Sequence, residues 1–118
     1  MFVEVRLMSF THLENLKRLI ESEQLFANTL DVVDNAKKDF EEASWALTDK
    51  QTEILTSGES LGSNAEIRNA KIAQLTLEET KAFRETKSAL DRAVILREKA
   101  ESKWKLARYI SESYKITQ

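Results

Sequence analysis

Apolar side chains recur along most of this chain in steps of three and four. The first series reads Leu13, Leu16, Ile20, Ala27, Leu30, Val33, Ala36, Phe40, Ala43, Leu47 and Ile54. One face of an α-helix has that period and a strand does not, so the spacing predicts a helix over about residues 12–56. At 1.5 Å per residue it would run about 68 Å. Thr11 and Glu14 stand three apart as a capping box, in which each side chain meets a free backbone N–H at the helix start. The polar run Glu21-Ser22-Glu23-Gln24 weakens the stripe for one turn, and a kink or break there is an alternative.

The second series reads Phe83, Thr86, Leu90, Ala93, Leu96, Ala100, Trp104, Ala107, Ile110 and Tyr114. It predicts a long helix over 77–114. Ala93, Ala100 and Ala107 lie seven apart, as do Ala36 and Ala43. A seven-residue repeat keeps one seam facing a partner, and alanine there lets two backbones approach closely. Between the series stand the two glycines of the chain, Gly58 and Gly62. They mark a turn over 57–63, with Gly58 suited to the left-handed conformation just past a helix end. Ser63 with Glu66 forms a second capping box, predicting a short helix over 64–75. Thr76 with Glu79 forms a third, so either that helix stops near Leu75 or the chain continues with a bend.

Two long helices joined by a short connection pack antiparallel. The expected fold is therefore all-α: one domain over 11–118, a long antiparallel, coiled-coil-like helical hairpin with a short helix near the turn. An N-terminal arm over 1–10 precedes it, where Phe2, Val3, Val5 and Leu7 fit a short strand or a loose arm. Leu25, Phe26, Val32, Trp45, Val94 and Ile95 spill beyond a single stripe. A second chain would cover them, so a homodimer or higher oligomer forming a bundle is expected.

Composition agrees with long helices. The 118 residues are 42% hydrophobic and 32% charged, with no proline. The absence of cysteine excludes a disulfide framework, a thiol nucleophile and a Cys-ligated zinc. His12 is the one histidine, without a glutamate three residues before it, so a bundle-type Glu-x-x-His metal site has no candidate. Adjacent carboxylates such as Glu41 and Glu42, or Glu78 and Glu79, diverge by about 100° on a helix and do not converge on one atom. "GESLGSN" lacks the glycine spacing and the lysine of a phosphate loop. The expectation is a protein that is not an enzyme, with no cofactor and no metal. No window reaches the roughly 18–20 apolar residues of a membrane span, and "MFVEVRLMSF" does not read as a signal peptide. A soluble, cytoplasmic protein with no membrane partner is expected.

Charge is unevenly spread. Residues 1–58 carry 6 Lys+Arg against 11 Asp+Glu, a net of −5, and residues 59–118 carry 12 against 9, a net of +3. The simpler consequence is attraction between the two arms, worth a few tenths of a kcal/mol for each exposed pair. The sharper one concerns the end of the chain, where 92–115 holds 7 Lys+Arg against 3 Asp+Glu. There Arg97, Lys103, Lys105, Arg108 and Lys115 interleave with Trp104, Tyr109 and Tyr114. Cations track a phosphate backbone and aromatic faces stack on unpaired bases. Trp104 falls on the apolar stripe and reads as core, whereas Tyr109 lies off it. Arg68, near the start of the short helix, opposes the helix dipole. It extends into water, folds back to Glu53 or Glu59, or meets a partner. Candidate nucleic-acid or partner contacts are therefore Arg68, Arg97, Lys103, Lys105, Arg108, Tyr109 and Lys115.

"NAEIRNAKIAQLTLEE", residues 64–79, resembles a segment of small all-helical bacteriophage and prophage proteins. Their pattern is Asn-Ala-Glu-x-Arg, apolar positions, Leu-Thr-x-Glu-Glu and a long Ala-rich helix, and the likeness covers roughly 63–110. Asn64, Glu66 and Arg68 match the signature. The resemblance implies a recombination accessory that loads or organises single-stranded DNA in a bacterial host cell, and no catalytic residue is carried over. With the oligomer expected above, the expected function is a non-enzymatic oligomeric helical accessory. The alternative is a protein-binding inhibitor or adaptor, for example against host defence, that acts through a helical face. Expected partners are further copies of the chain, single-stranded DNA, or a host or phage protein.

Overall fold

The computed structural model describes residues 12–58 and 60–117, with the side chains of 12–58 and 60–113. The arm over 1–10, Thr11 of the first capping box and Glu59 lie outside the described residues. Three helices follow one another: α1 His12–Thr56, α2 Ala65–Leu75 and α3 Leu77–Thr117. The described residues are all-α, with no strand among them.

Helix α1 is continuous through the polar run at 21–24. No proline or glycine interrupts it, and the run itself holds good helix formers. Its last turn is closed by hydroxyls: Thr56 Oγ1 donates to the Thr52 carbonyl at 2.8 Å, and Ser57 Oγ to the Ile54 carbonyl at 2.8 Å. Gly58 then adopts φ +76° and Gly62 φ +134°, conformations that an L side chain rarely enters. A Cβ on Gly62 would also collide with Ile67 Cγ2 and stand 3.1 Å from Ile67 Cβ.

The caps of the shorter helix correct the sequence reading. Asn64, not Ser63, is the N-cap of α2. Its backbone is extended (φ −137°, ψ 167°), and the Ile67 N–H donates to its Oδ1 at 2.9 Å. Three residues of separation is the reach an N-cap requires, and Ser63 stands one residue too early. Thr76 does end α2, but its hydroxyl turns back and donates to the Ile72 carbonyl at 2.8 Å. Its backbone serves both neighbours, donating N–H to Ile72 at 3.0 Å and accepting from Thr80 at 2.8 Å. Both its backbone groups are therefore used where two helices meet, and the residue is 1% exposed.

The described chain forms two compact units. The first holds residues up to Val33 and from Ala93 onward. Here α1 turns inward Asn15, Leu19, Ser22, Phe26, Thr29 and Val33, and α3 turns inward Ala93, Arg97, Ala100, Trp104, Ala107 and Ser111. Both series alternate steps of three and four. Phe26 stacks on Trp104, with ring centroids 5.6 Å apart. Ala93 and Ala100 are 3% and 4% exposed, as the heptad alanines require. Two polar members of this seam, Ser22 and Thr29, are satisfied on their own helix. Ser22 Oγ donates to the Leu19 carbonyl at 2.9 Å and Thr29 Oγ1 to the Phe26 carbonyl at 2.6 Å. Hydroxyls bonded in this way enter a buried face at little cost.

On α1 of this unit most of the expected stripe is displaced by one residue, with Ala27 also exposed and only Leu16 and Val33 facing in, whereas on α3 the expected Ala93, Ala100, Trp104 and Ala107 do face inward. Leu13 and Ile20 are strongly exposed and Leu30 is 42% exposed. Asn15, Leu19, Ser22, Phe26 and Thr29 take the inner face instead, so Phe26 belongs to the seam. On α3, Leu96 and Ile110 are exposed, and Arg97 and Ser111 stand in their places.

The second unit spans Asp34–Arg92. Ala36, Phe40, Ala43, Leu47 and Ile54 turn inward on α1 in the predicted register, with half-buried Lys50 completing the series. From α3, Phe83 meets Phe40 at 5.1 Å between centroids. Thr86 and Leu90 continue that face, and Thr86 Oγ1 donates to the Ala82 carbonyl at 2.8 Å.

Candidate functional site

The basic, aromatic stretch of α3 lies in the first unit, and its side chains divide by face. Residues 97, 100, 104, 107 and 111 point into the seam, so Arg97 is half-buried. Of the candidate contacts with a described side chain it is the one on the seam face of α3. Trp104 is half-buried against Phe26, and the Arg108 guanidinium lies 5.1 Å from the centre of its ring. Such a cation–π contact holds the arginine along its own helix. Arg108 Nε also reaches Glu112 at 3.7 Å, and Lys105 Nζ reaches Glu101 at 2.9 Å. Four-residue pairs of this kind add a few tenths of a kcal/mol and locally offset the positive charge. Lys103 is exposed, and Tyr109 is 68% exposed.

Arg68 sits on α2 in the second unit, apart from this group in the chain's division, and its side chain is exposed. Glu53, one proposed partner, pairs with Lys50 at 3.8 Å. It is Lys71, not Arg68, that reaches the connection, donating from Nζ to the Ser60 carbonyl at 3.4 Å. The Lys115 side chain lies outside the described ones.

A cleft of about 210 Å³ opens beside the exposed part of α3. Asn15 and Arg18 of α1 line one wall, and Lys103, Leu106, Ala107 and Ile110 of α3 the other. Asn15 is 7% exposed, while Leu106 and Ile110 are 59% and 44% exposed. The cleft surface is mostly apolar, with the buried Asn15 and the two cations Arg18 and Lys103 among its lining residues. A second, larger and more open depression of about 520 Å³ runs along α1, lined by Leu13, Leu16, Lys17, Ile20 and Glu21. Lys17 and Glu21 pair at 4.0 Å.

Sequence reasoning missed the cleft because Asn15 and Arg18 were off the expected stripe. The signal that could have found it is the run Lys99, Lys103, Leu106 and Ile110, a second three-and-four series one residue behind the α3 seam. Among the described residues, no group of three or more His, Asp or Glu side chains could hold a metal ion. None of the described helices is long and apolar enough to cross a membrane. No family model, no curated protein and no solved structure matches this chain.

Proposed function

We propose that this chain is a non-enzymatic helical accessory protein of phage type, acting as an oligomer of antiparallel hairpins in the bacterial cytoplasm. The observation that carries the reading is the number of large apolar side chains left in water on both long helices. Leu13, Trp45, Leu55, Leu77, Leu106 and Tyr109 are all more than half exposed. A monomer gains nothing from these positions, whereas helix-to-helix association removes them from water at about 25 cal/mol per Å². The hairpin is supported within the first unit. Phe26 meets Trp104, while Asn15, earlier on α1, shares a cleft with Ala107 and Ile110, later on α3.

Assistance to single-stranded DNA recombination is the role we assign to the assembly. Its support is the likeness of residues 64–79 to the phage proteins and the exposed Lys103 and Tyr109. Lys105 and Arg108 join them on release from Glu101 and Glu112. Light scattering over a dilution series, with and without oligo-dT at several salt concentrations, tests both parts. About three phosphates neutralised per protomer give a log–log salt slope of about −2. A monomer at every concentration overturns the assembly. Oligomers with no salt-dependent DNA binding overturn the DNA role alone. They would leave the second reading, a protein-binding inhibitor or adaptor, favoured by the apolar Leu13, Leu16 and Ile20 face.

A further inference from the structure

Trp45 is a large apolar side chain left mostly in water. It lies two residues from both Ala43 and Leu47, which face inward, so at 100° per residue it points almost directly away from them. Its exposure of 64% agrees. On that outward face Glu41, Glu42 and Asp49 stand within about one turn of it, all exposed, with Lys38 and Asp34 about two and three turns away. An indole with acidic neighbours is the complement of the cleft in the first unit, whose lining is mostly apolar and includes the cations Arg18 and Lys103.

We propose that Trp45 of one protomer inserts into the cleft between Arg18 and Lys103 of a second copy. This rests on the reading of the chain as self-associating and names its contact. Size fits: a cavity of about 150 Å³ accepts benzene, and this cleft offers about 210 Å³. Leu106 and Ile110 supply the walls, and the cations meet both the ring face and its acidic neighbours. Tryptophan is also the residue type that most often anchors an interface from a small area. The two patches differ, so each protomer carries one anchor and one socket.

Three variants of the full chain test this by sedimentation over a concentration series: Trp45→Ala, Glu41→Lys and Lys103→Glu. Each changes an exposed side chain, and circular dichroism checks that each remains helical. The expected result is a dissociation constant raised about tenfold or more for Trp45→Ala. Glu41→Lys and Lys103→Glu each weaken association alone and recover it when mixed. Mixing pairs one unaltered contact with one whose charges are exchanged. Wild-type oligomers that Trp45→Ala leaves intact, or a mixture that does not recover, overturn this contact while leaving self-association standing. A wild-type chain that is monomeric throughout overturns both.

Discussion

Val32 and Val33 are chain neighbours with one side chain and opposite surroundings, 50% and 1% exposed. Truncating each to alanine tests the inner face of α1 directly. Val33→Ala removes two buried carbons, about 1.6 kcal/mol at about 0.8 per methylene. The space left behind adds on the order of 1 kcal/mol, because the surroundings relax only in part. Alanine's better helix propensity returns about 0.5 kcal/mol. The net expected loss is about 2 kcal/mol. For Val32→Ala the burial term is halved to about 0.8 kcal/mol, the propensity gain offsets most of it, and the change is within about 0.5 kcal/mol. Urea unfolding followed by far-ultraviolet circular dichroism measures both, at a dilution where the midpoint no longer depends on concentration. Equal losses, or a larger loss for Val32→Ala, would refute the register.

Other outcomes follow from the connection and the caps. Gly62→Ala is expected to cost about 2 kcal/mol or more, since it adds a collision with Ile67 to an unfavourable φ. Gly58→Ala has open space around it and should cost about 1 kcal/mol, and parallel urea melts compare the two. Asn64→Ala should cost about 1 kcal/mol and speed amide exchange in the first turn of α2, read by hydrogen exchange. Thr76→Val keeps the shape and removes the hydroxyl bond to Ile72, with an expected loss of about 1 kcal/mol by the same melts. Arg68→Ala should change stability by less than about 0.5 kcal/mol.

How much could be read in advance depended on what filled each inner position. From Val33 to Ile54 the inward residues are mostly apolar or alanine, so the hydrophobic period and the true face coincide. Before Val33 they diverge. Asn15, Ser22 and Thr29 face inward, while Leu13, Leu16, Ile20 and Leu30 form a competing series one residue later. A rule that seeks apolar residues follows the wrong series. It has no way to see that Ser22 and Thr29 close their hydroxyls on their own helix. Arg97 and Ser111 misled in the same way, displaced in the reading by Leu96 and Ile110. Helix existence was legible, because nothing between His12 and Thr56 breaks one. Cap identity was not, since Ser63 and Asn64 are both good caps and only backbone geometry chooses between them. The cleft needed the true register on both helices and so was out of reach.

The small inner residues have a thermal consequence. Alanine, serine, threonine and asparagine outnumber Val33 and Ile54 among the buried residues described, so each closed turn withdraws little hydrocarbon from water. The heat-capacity increment of unfolding follows hydrocarbon exposure. For the dissociated protomer it should fall below the usual ~12–15 cal/mol/K per residue. Its stability curve against temperature is then broad and shallow, and chilling removes little of what holds the helices together.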